Sequence, residues 1–227
     1  MQTKTSYFTK AEMVLWLGSL LFILVSFFVF DRANYLTLIT SLIGATSLIF
    51  CAKGNPFGQV LMIVFGLIYG FISYTFRCYG EMITYVGMTV PMAVWALVAW
   101  LKNPYNGNKA EVTVNRLPKK EIPLLALLSV FVTALLYFVL RYLGTANLFF
   151  STLSVTTSFV AVYLTARRSP YYAVAYALND IVLIILWIYA ALRDISYLSV
   201  IICFIAFLAN DLYGFYNWRK MQKKQNA

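Results

Sequence analysis

The chain has 227 residues, 62% of them hydrophobic and 11% charged, with a net charge of +10 and no histidine. A soluble domain is nearer half apolar and a quarter charged, so this composition excludes one and points to a polytopic membrane protein. The missing histidine removes imidazole metal sites and histidine general bases, and no cofactor or metal is expected; the surplus of basic residues lies in short loops and tails, where membrane topology explains it better than nucleic acid does.

Eight apolar segments follow in chain order: Met13–Phe30, Tyr35–Ala52, Phe57–Tyr74, Met82–Leu101, Ile122–Leu143, Leu148–Ala166, Tyr171–Leu192 and Ile195–Trp218. Each is near the ~20 residues that a spanning helix needs. The first exceeds a signal-peptide core and no small-x-small site follows it, so it is expected to stay as a membrane helix. The breaks are short except Lys102–Glu121, which holds Pro104, Gly107 and Pro118 and reads as a loop. With the N-terminus inside, the inner segments carry fourteen Lys and Arg (Lys4 among them), and the outer loops carry four, Arg32, Arg77, Arg141 and Arg193. That bias puts both termini in the cytoplasm. The outer pairs Asp31–Arg32, Glu81–Arg77 and Arg193–Asp194 read as solvated charge. Trp16, Trp100 and Trp218 read as interfacial anchors. Cys51, Cys78 and Cys203 form no CxxC pattern and read as small apolar fillers.

Pro56 and Pro170 open the third and seventh segments, and this offset of 114 lays every apolar segment of the first half on one of the second. Thr40 falls on Ser154, Val60 on Val174 and Asn103 on Asn217. Four helices per half give parallel repeats about an axis along the membrane normal, with a substrate site near the midplane. The polar chemistry is concentrated in the second half. Phe65 and Gly66 stand opposite Asn179 and Asp180, and Ala96 and Leu97 stand opposite Asn210 and Asp211.

An ionisable group in mid-span costs several kcal/mol, roughly 3 on insertion scales, and usually faces a polar pathway. Tyr176, Asp180, Ile184 and Trp187 are spaced four, four and three apart and share one helix face. That face suits a flat, polar, cationic molecule; the alternative is a hydrogen bond that ties the bundle together. In the last segment Asn210 suits ligand hydroxyls or a carboxamide, or else joins helices, and Asn217 joins helices. Asp211 points about 100° away from Asn210, so one ligand need not use both. The run STLSVTTS, Ser151–Ser158, reads as hydroxyls bonded back to their own helix. GLIYG, Gly66–Gly70, allows close packing, with Tyr69 and Tyr74 as candidates to point inward. Pro91 kinks the fourth segment, as a hinge for alternating access or as fixed curvature. No channel filter, P-loop, GxSxG or HExxH is present, and no loop could hold an ATPase, so an ion pore, an ATP-driven pump and an enzyme are not expected.

The runs NDIVLIILW (Asn179–Trp187), FGLIYGFISY (Phe65–Tyr74) and Tyr85–Pro104, ending VWALVAWLKNP, resemble the PnuC family of vitamin transporters over about Tyr35 to Arg219. The resemblance implies an all-α integral membrane protein with eight transmembrane helices. It has two SWEET-like three-helix bundles as parallel pseudo-repeats, a linking helix between them and an extra N-terminal helix. The corresponding division is residues 1–33 for the extra helix, 34–104 for the first bundle, 105–145 for a cytoplasmic loop and linker helix, 146–220 for the second bundle and 221–227 for a basic tail. It further implies facilitated diffusion of nicotinamide riboside across a bacterial inner membrane, with a cytoplasmic riboside kinase trapping the product. In that setting Trp187 and a tyrosine (Tyr176, Tyr69 or Tyr74) would sandwich the cationic ring, a contact of about 1–2 kcal/mol when desolvated. Asn179, Asp180 and Asn210 would hold the amide and hydroxyls, and Asp180 would offset the positive charge. None of the eighteen basic residues lies deep in a span, which excludes the phosphorylated product. Beyond the lipid bilayer, the kinase and the riboside, a homo-oligomer stays open. Thiamine or riboflavin as cargo, or a proton-coupled carrier with Asp180 or Asp211 titrating, are the alternatives.

Overall fold

In a bilayer an apolar run must satisfy its backbone internally, and helices do so. The computed structural model, which describes residues 7–75, 79–145 and 147–227, has eight helices long and apolar enough to cross a membrane among those residues. They are α1 Lys10–Asp31, α2 Tyr35–Ala52, α3 Phe57–Thr75, α4 Glu81–Leu101, α5 Lys119–Tyr142, α6 Leu148–Ala166, α7 Tyr172–Ala191 and α8 Ile195–Gln225. Lys4, Arg77 and Cys78 lie outside the described residues. The eight expected segments match these helices to within a few residues, except that α8 continues helically through most of the basic tail.

Thr9 and Glu12 form a capping box that starts α1. Glu12 is almost fully buried, with Lys53 Nζ on its carboxylate at 2.9 Å and the Tyr213 hydroxyl donating to it at 2.8 Å. These contacts fasten α1 to the end of α2 and to α8. α2 packs on α3 and α3 on α4; α6 packs on α7 and α7 on α8. Between the halves, α2 meets α8 and α4 meets α6. α1 lies over α2 and α8, and α5 lies over α6. A Cβ at Gly66 or Gly70 would collide with Val90 or Val86, so the small residues of α3 serve the close approach of α4.

The irregularity expected at Pro91 takes the form of a π-helical segment, Thr84–Thr89, just before it. Pro91 has no N–H for the preceding turn, and its ring crowds the carbonyl four residues back. A second π segment, Phe27–Asp31, ends α1.

The long connection is not a plain loop. Pro104–Tyr105 (β1) and Asn108–Val112 (β2) form an antiparallel hairpin. Asn106 and Gly107 turn it with φ of 49° and 78°, the left-handed pair that a type I′ turn requires. Val112 N–H donates to Gly54 O at 3.0 Å, and Asn115 N–H to Arg168 O at 2.9 Å. Gly54 and Arg168 are 114 apart, and both adopt left-handed φ, 68° and 57°. The connection therefore grips the same tight turn in each half. Gln225, at the end of α8, accepts from Val114 N–H and donates to Val112 O.

Trp100 and Trp218 are not interfacial anchors. Both are fully buried, their rings 5.3 Å apart. Trp100 Nε1 donates to Thr165 O at 2.9 Å and Trp218 Nε1 to Cys51 O at 2.8 Å. The last carbonyls of a helix lack partners within it, and here an indole from the other half supplies one to α6 and to α2. Trp16 likewise turns inward, its Nε1 on Thr46 Oγ1 at 3.2 Å. Asn217 joins helices as expected, donating to Ala52 O. Two of the outer charges cap turns instead of pairing with their neighbours: Asp31 accepts from Asn34, and Asp194 accepts from Ser196 N–H.

Candidate functional site

Between the two halves lies a cavity of about 100 Å³. It runs from Tyr69, Glu81 and Thr145, toward the end of the bundle opposite the hairpin, to Tyr176 and Asp211. α3 and α4 supply an aromatic wall. Tyr69 and Tyr85 lie 4.4 Å apart between ring centres, and Phe65 stacks on Tyr69 at 5.7 Å. Phe207 of α8 continues that wall, 6.3 Å from Phe65. α6, α7 and α8 supply the polar wall: Ser154, Ser158, Asn179, Asp180 and Asp211.

Of the residues expected at the site, Tyr69, Tyr176, Asn179, Asp180 and Trp187 line this cavity. Asn179 is buried, and its Oδ1 accepts from Ser154 Oγ (3.1 Å), Thr157 Oγ1 (2.8 Å) and Ser158 Oγ (3.1 Å). The amide NH2 makes no hydrogen bond among the described residues. The hydroxyl run of α6 therefore divides. Thr152 and Thr156 bond back to their own helix, as expected for the whole run, Ser154 and Ser158 hold Asn179, and Thr157 is within reach of both Asn179 and the carbonyls of Leu153 and Ser154. Trp187 rests on Tyr197, ring centres 5.2 Å apart.

Three expected residues lie elsewhere. Asn210 is 1% exposed and donates from Nδ2 to Ser19 Oγ and Ala206 O, both at 2.8 Å. It joins α8 to α1, because α1 covers that face. Tyr74 is 58% exposed near the end of α3, away from the cavity. Pro91 does not line it either, but Thr84, Tyr85 and Thr89 of the adjoining π segment do. Such segments recur at functional sites.

Asp211, expected only as a group that titrates in the proton-coupled alternative, lines the cavity, and so do Glu81 and Tyr85, which the sequence does not mark for the site. The turn of about 100° that sends Asn210 toward α1 leaves Asp211 facing the cavity, which Asp180 of α7 also lines. A carboxylate in mid-span was signal enough for Asp211. Glu81 reads as loop charge in sequence because it adjoins a short break; it in fact lies in the first turn of a helix that begins at Tyr79 and leads into α4, with the Tyr69 hydroxyl 3.5 Å from Oε2. No Lys or Arg lines the cavity among the described residues. Three carboxyl groups, aromatic faces and an amide, with no base, suit a flat molecule that carries positive charge.

A family model described as nicotinamide mononucleotide transporter matches residues 34–220. A curated relative from Neisseria mucosa, the nicotinamide riboside transporter PnuC, is 27% identical over 93% of this chain and 82% of its own length. A second of the same name, from Haemophilus influenzae, is 22% identical over 94% and 92%. A crystal structure of the vitamin B3 transporter PnuC matches with a TM-score of 0.82 and 27% identity, covering 96% of this chain and 94% of that one.

Proposed function

This chain belongs to the nicotinamide mononucleotide transporter family, and from that membership we propose that it carries nicotinamide riboside across the membrane by facilitated diffusion. Both curated relatives bear the name of a riboside transporter. The observation that carries the choice of riboside over mononucleotide is the charge of the cavity. Asp180, Asp211 and Glu81 line it and no Lys or Arg does among the described residues. A phosphate at neutral pH carries close to two negative charges and needs cationic or N–H partners. The riboside offers a pyridinium ring instead.

In this reading the Tyr69–Tyr85 pair and Trp187 receive the ring. The Asn179 amide, held by its three hydroxyl donors, meets the carboxamide or a ribose hydroxyl. Asp180 and Asp211 offset the positive charge. The two three-helix bundles, residues 34–104 and 146–220, move against each other about the site, and the π segment before Pro91 acts as the hinge. Net uptake then comes from a cytoplasmic kinase whose product the acidic cavity rejects. The setting is a bacterial inner membrane with both termini in the cytoplasm, supported by fourteen inner against four outer basic residues.

Counterflow of labelled nicotinamide riboside into liposomes containing the purified protein tests this. Flux that needs no imposed gradient and is blocked by unlabelled riboside, but not by nicotinamide mononucleotide, is the expected result. Block by the mononucleotide overturns the charge argument. Block by thiamine, which is also a cation, keeps the mechanism and changes the cargo.

A further inference from the structure

Two half-buried residues stand where the cavity ends opposite the hairpin: Glu81, in the first turn of the helix that leads into α4, and Thr145, in the turn before α6. The Tyr69 hydroxyl lies 3.5 Å from Glu81 Oε2, and the Tyr69 and Tyr85 rings are 4.4 Å apart between centres. Trp187 also lines the cavity. It lies seven residues beyond Asp180 on α7, about 10 Å along the helix axis toward this end. The cavity thus holds carboxyl groups at two levels, Glu81 beside the tyrosine pair and Asp180 with Asp211 deeper. No Lys or Arg lines either level among the described residues. A carboxylate next to aromatic faces attracts an organic cation twice, by its own charge and through the ring quadrupoles.

We propose that Glu81 and the Tyr69–Tyr85 pair form an outer capture subsite, which selects flat organic cations before they reach Asn179 and Asp180. The carboxylate draws in the positive ring and the tyrosines stack on it. The substrate then moves about two helical turns inward to the mid-span groups. A charge at the mouth of a cavity acts on encounter, so Glu81 speeds the entry of a cation and turns away a phosphorylated molecule before it is desolvated. Capture needs no proton transfer, which keeps the step within facilitated diffusion. Glu81 is thus a specificity-determining residue apart from the mid-span carboxyls. This rests on the reading of the cavity as the substrate site.

The test compares two molecules of nearly the same shape, nicotinamide riboside and its uncharged dihydro form, by calorimetric binding to the purified protein. Stopped-flow quenching of tryptophan fluorescence by the riboside accompanies it. The wild type should prefer the cation, and Glu81→Gln should weaken riboside binding about tenfold, chiefly through a slower association rate. Binding of the dihydro form should not change, which also shows that the variant is folded. Glu81→Asp, which keeps the charge, should retain most of the preference. Riboside binding unchanged in Glu81→Gln overturns the proposal and leaves the riboside reading intact. Equal weakening of both molecules overturns it too, since charge is then not what Glu81 contributes. A loss through faster dissociation alone refutes capture at the mouth. If the wild type binds neither molecule, the riboside reading fails, and the 1-methylnicotinamide cation is compared with neutral nicotinamide. A preference for that cation, lost in Glu81→Gln, upholds the subsite for another cargo; no preference, or no binding, refutes it.

Discussion

Trp218→Phe keeps an aromatic ring and removes one donor. The lost bond, from Nε1 to Cys51 O, is 2.8 Å long and fully buried, so no solvent replaces it. A buried carbonyl left without a partner costs about 1–3 kcal/mol. Hydrogen bonds between helices inside a membrane average nearer 0.6 kcal/mol, which sets a floor. The smaller ring also loosens packing on Trp100 and Tyr172, whose centres lie 5.3 and 5.0 Å away. A total of about 2 kcal/mol follows for Trp218→Phe. Trp100→Phe loses the matching bond to Thr165 O and should cost about the same. Because the two rings touch, the double variant should depart from additivity by about 0.5–1.5 kcal/mol. Trp95, 42% exposed, serves as the control, and Trp95→Phe should change little. Equilibrium unfolding in mixed detergent micelles reads all four variants. Losses below about 0.5 kcal/mol that add simply would return both indoles to the role of interfacial anchors and remove them as a tie between the halves.

Asn179→Ala should lower riboside flux at least about tenfold, while stability changes by less than about 1 kcal/mol, since the three hydroxyls can return to their own helix; counterflow and a thermal melt separate the two effects. Glu12→Gln should cost about 3 kcal/mol by leaving Lys53 unpaired, and adding Lys53→Met should recover part of it, as read by detergent unfolding. Arg168→Gly should raise the melting temperature, because a non-glycine residue at φ 57° pays about 1 kcal/mol that Gly54 avoids at the matching turn. The backbone N–H of Ser196 holds the Asp194 carboxyl below the usual aspartate range. Its contribution is therefore present above that range and lost as pH falls through the lowered value, and Asp194→Asn should flatten the acid side of a melting-temperature profile.

The eight spans were legible because apolar runs of spanning length, broken by short polar turns, leave a helix bundle little freedom. Tyr176, Asp180 and Trp187 were legible because helical spacing alone puts them on one face. What sequence spacing does not carry is the direction in which each helix turns its faces. That is why Asn210 and Asp211 exchanged roles: the covering by α1, a contact between residues 191 positions apart, decides which of them meets the cavity. The same holds for Trp100 and Trp218. Their partners are carbonyls at the ends of α6 and α2, and nothing near either tryptophan in sequence names them. The hairpin has its own sequence signal, since Asn106–Gly107 is a strong two-residue turn. Glu81 was hidden by its place beside a break, which made a cavity residue resemble a loop charge.

The packing pairs also bear on how such a carrier opens. α2 meets α8, and α4 meets α6, contacts that exchange when the chain is shifted by half its length. The cavity lies between these pairs and ends near Leu48, Tyr176 and Asp211. One turn further toward the hairpin, Cys51, Tyr172, Trp100 and Trp218 fill the same axis as a packed cluster. The two indole bonds cross from one half to the other there, and the hairpin grips Gly54 and Arg168 just beyond. A state open on the hairpin side must therefore separate Trp100 from Trp218 and strip both helix-end carbonyls of their donors. A state open on the far side need break neither. In the proposed carrier, weakening the tryptophan layer should shift the population toward the hairpin-side opening. Trp100→Phe in which a cysteine placed at Tyr172 becomes reactive toward a polar thiol reagent, while the same cysteine beside an intact Trp100 does not, would locate the inner gate at this layer. Equal reactivity in both backgrounds would place the gate elsewhere.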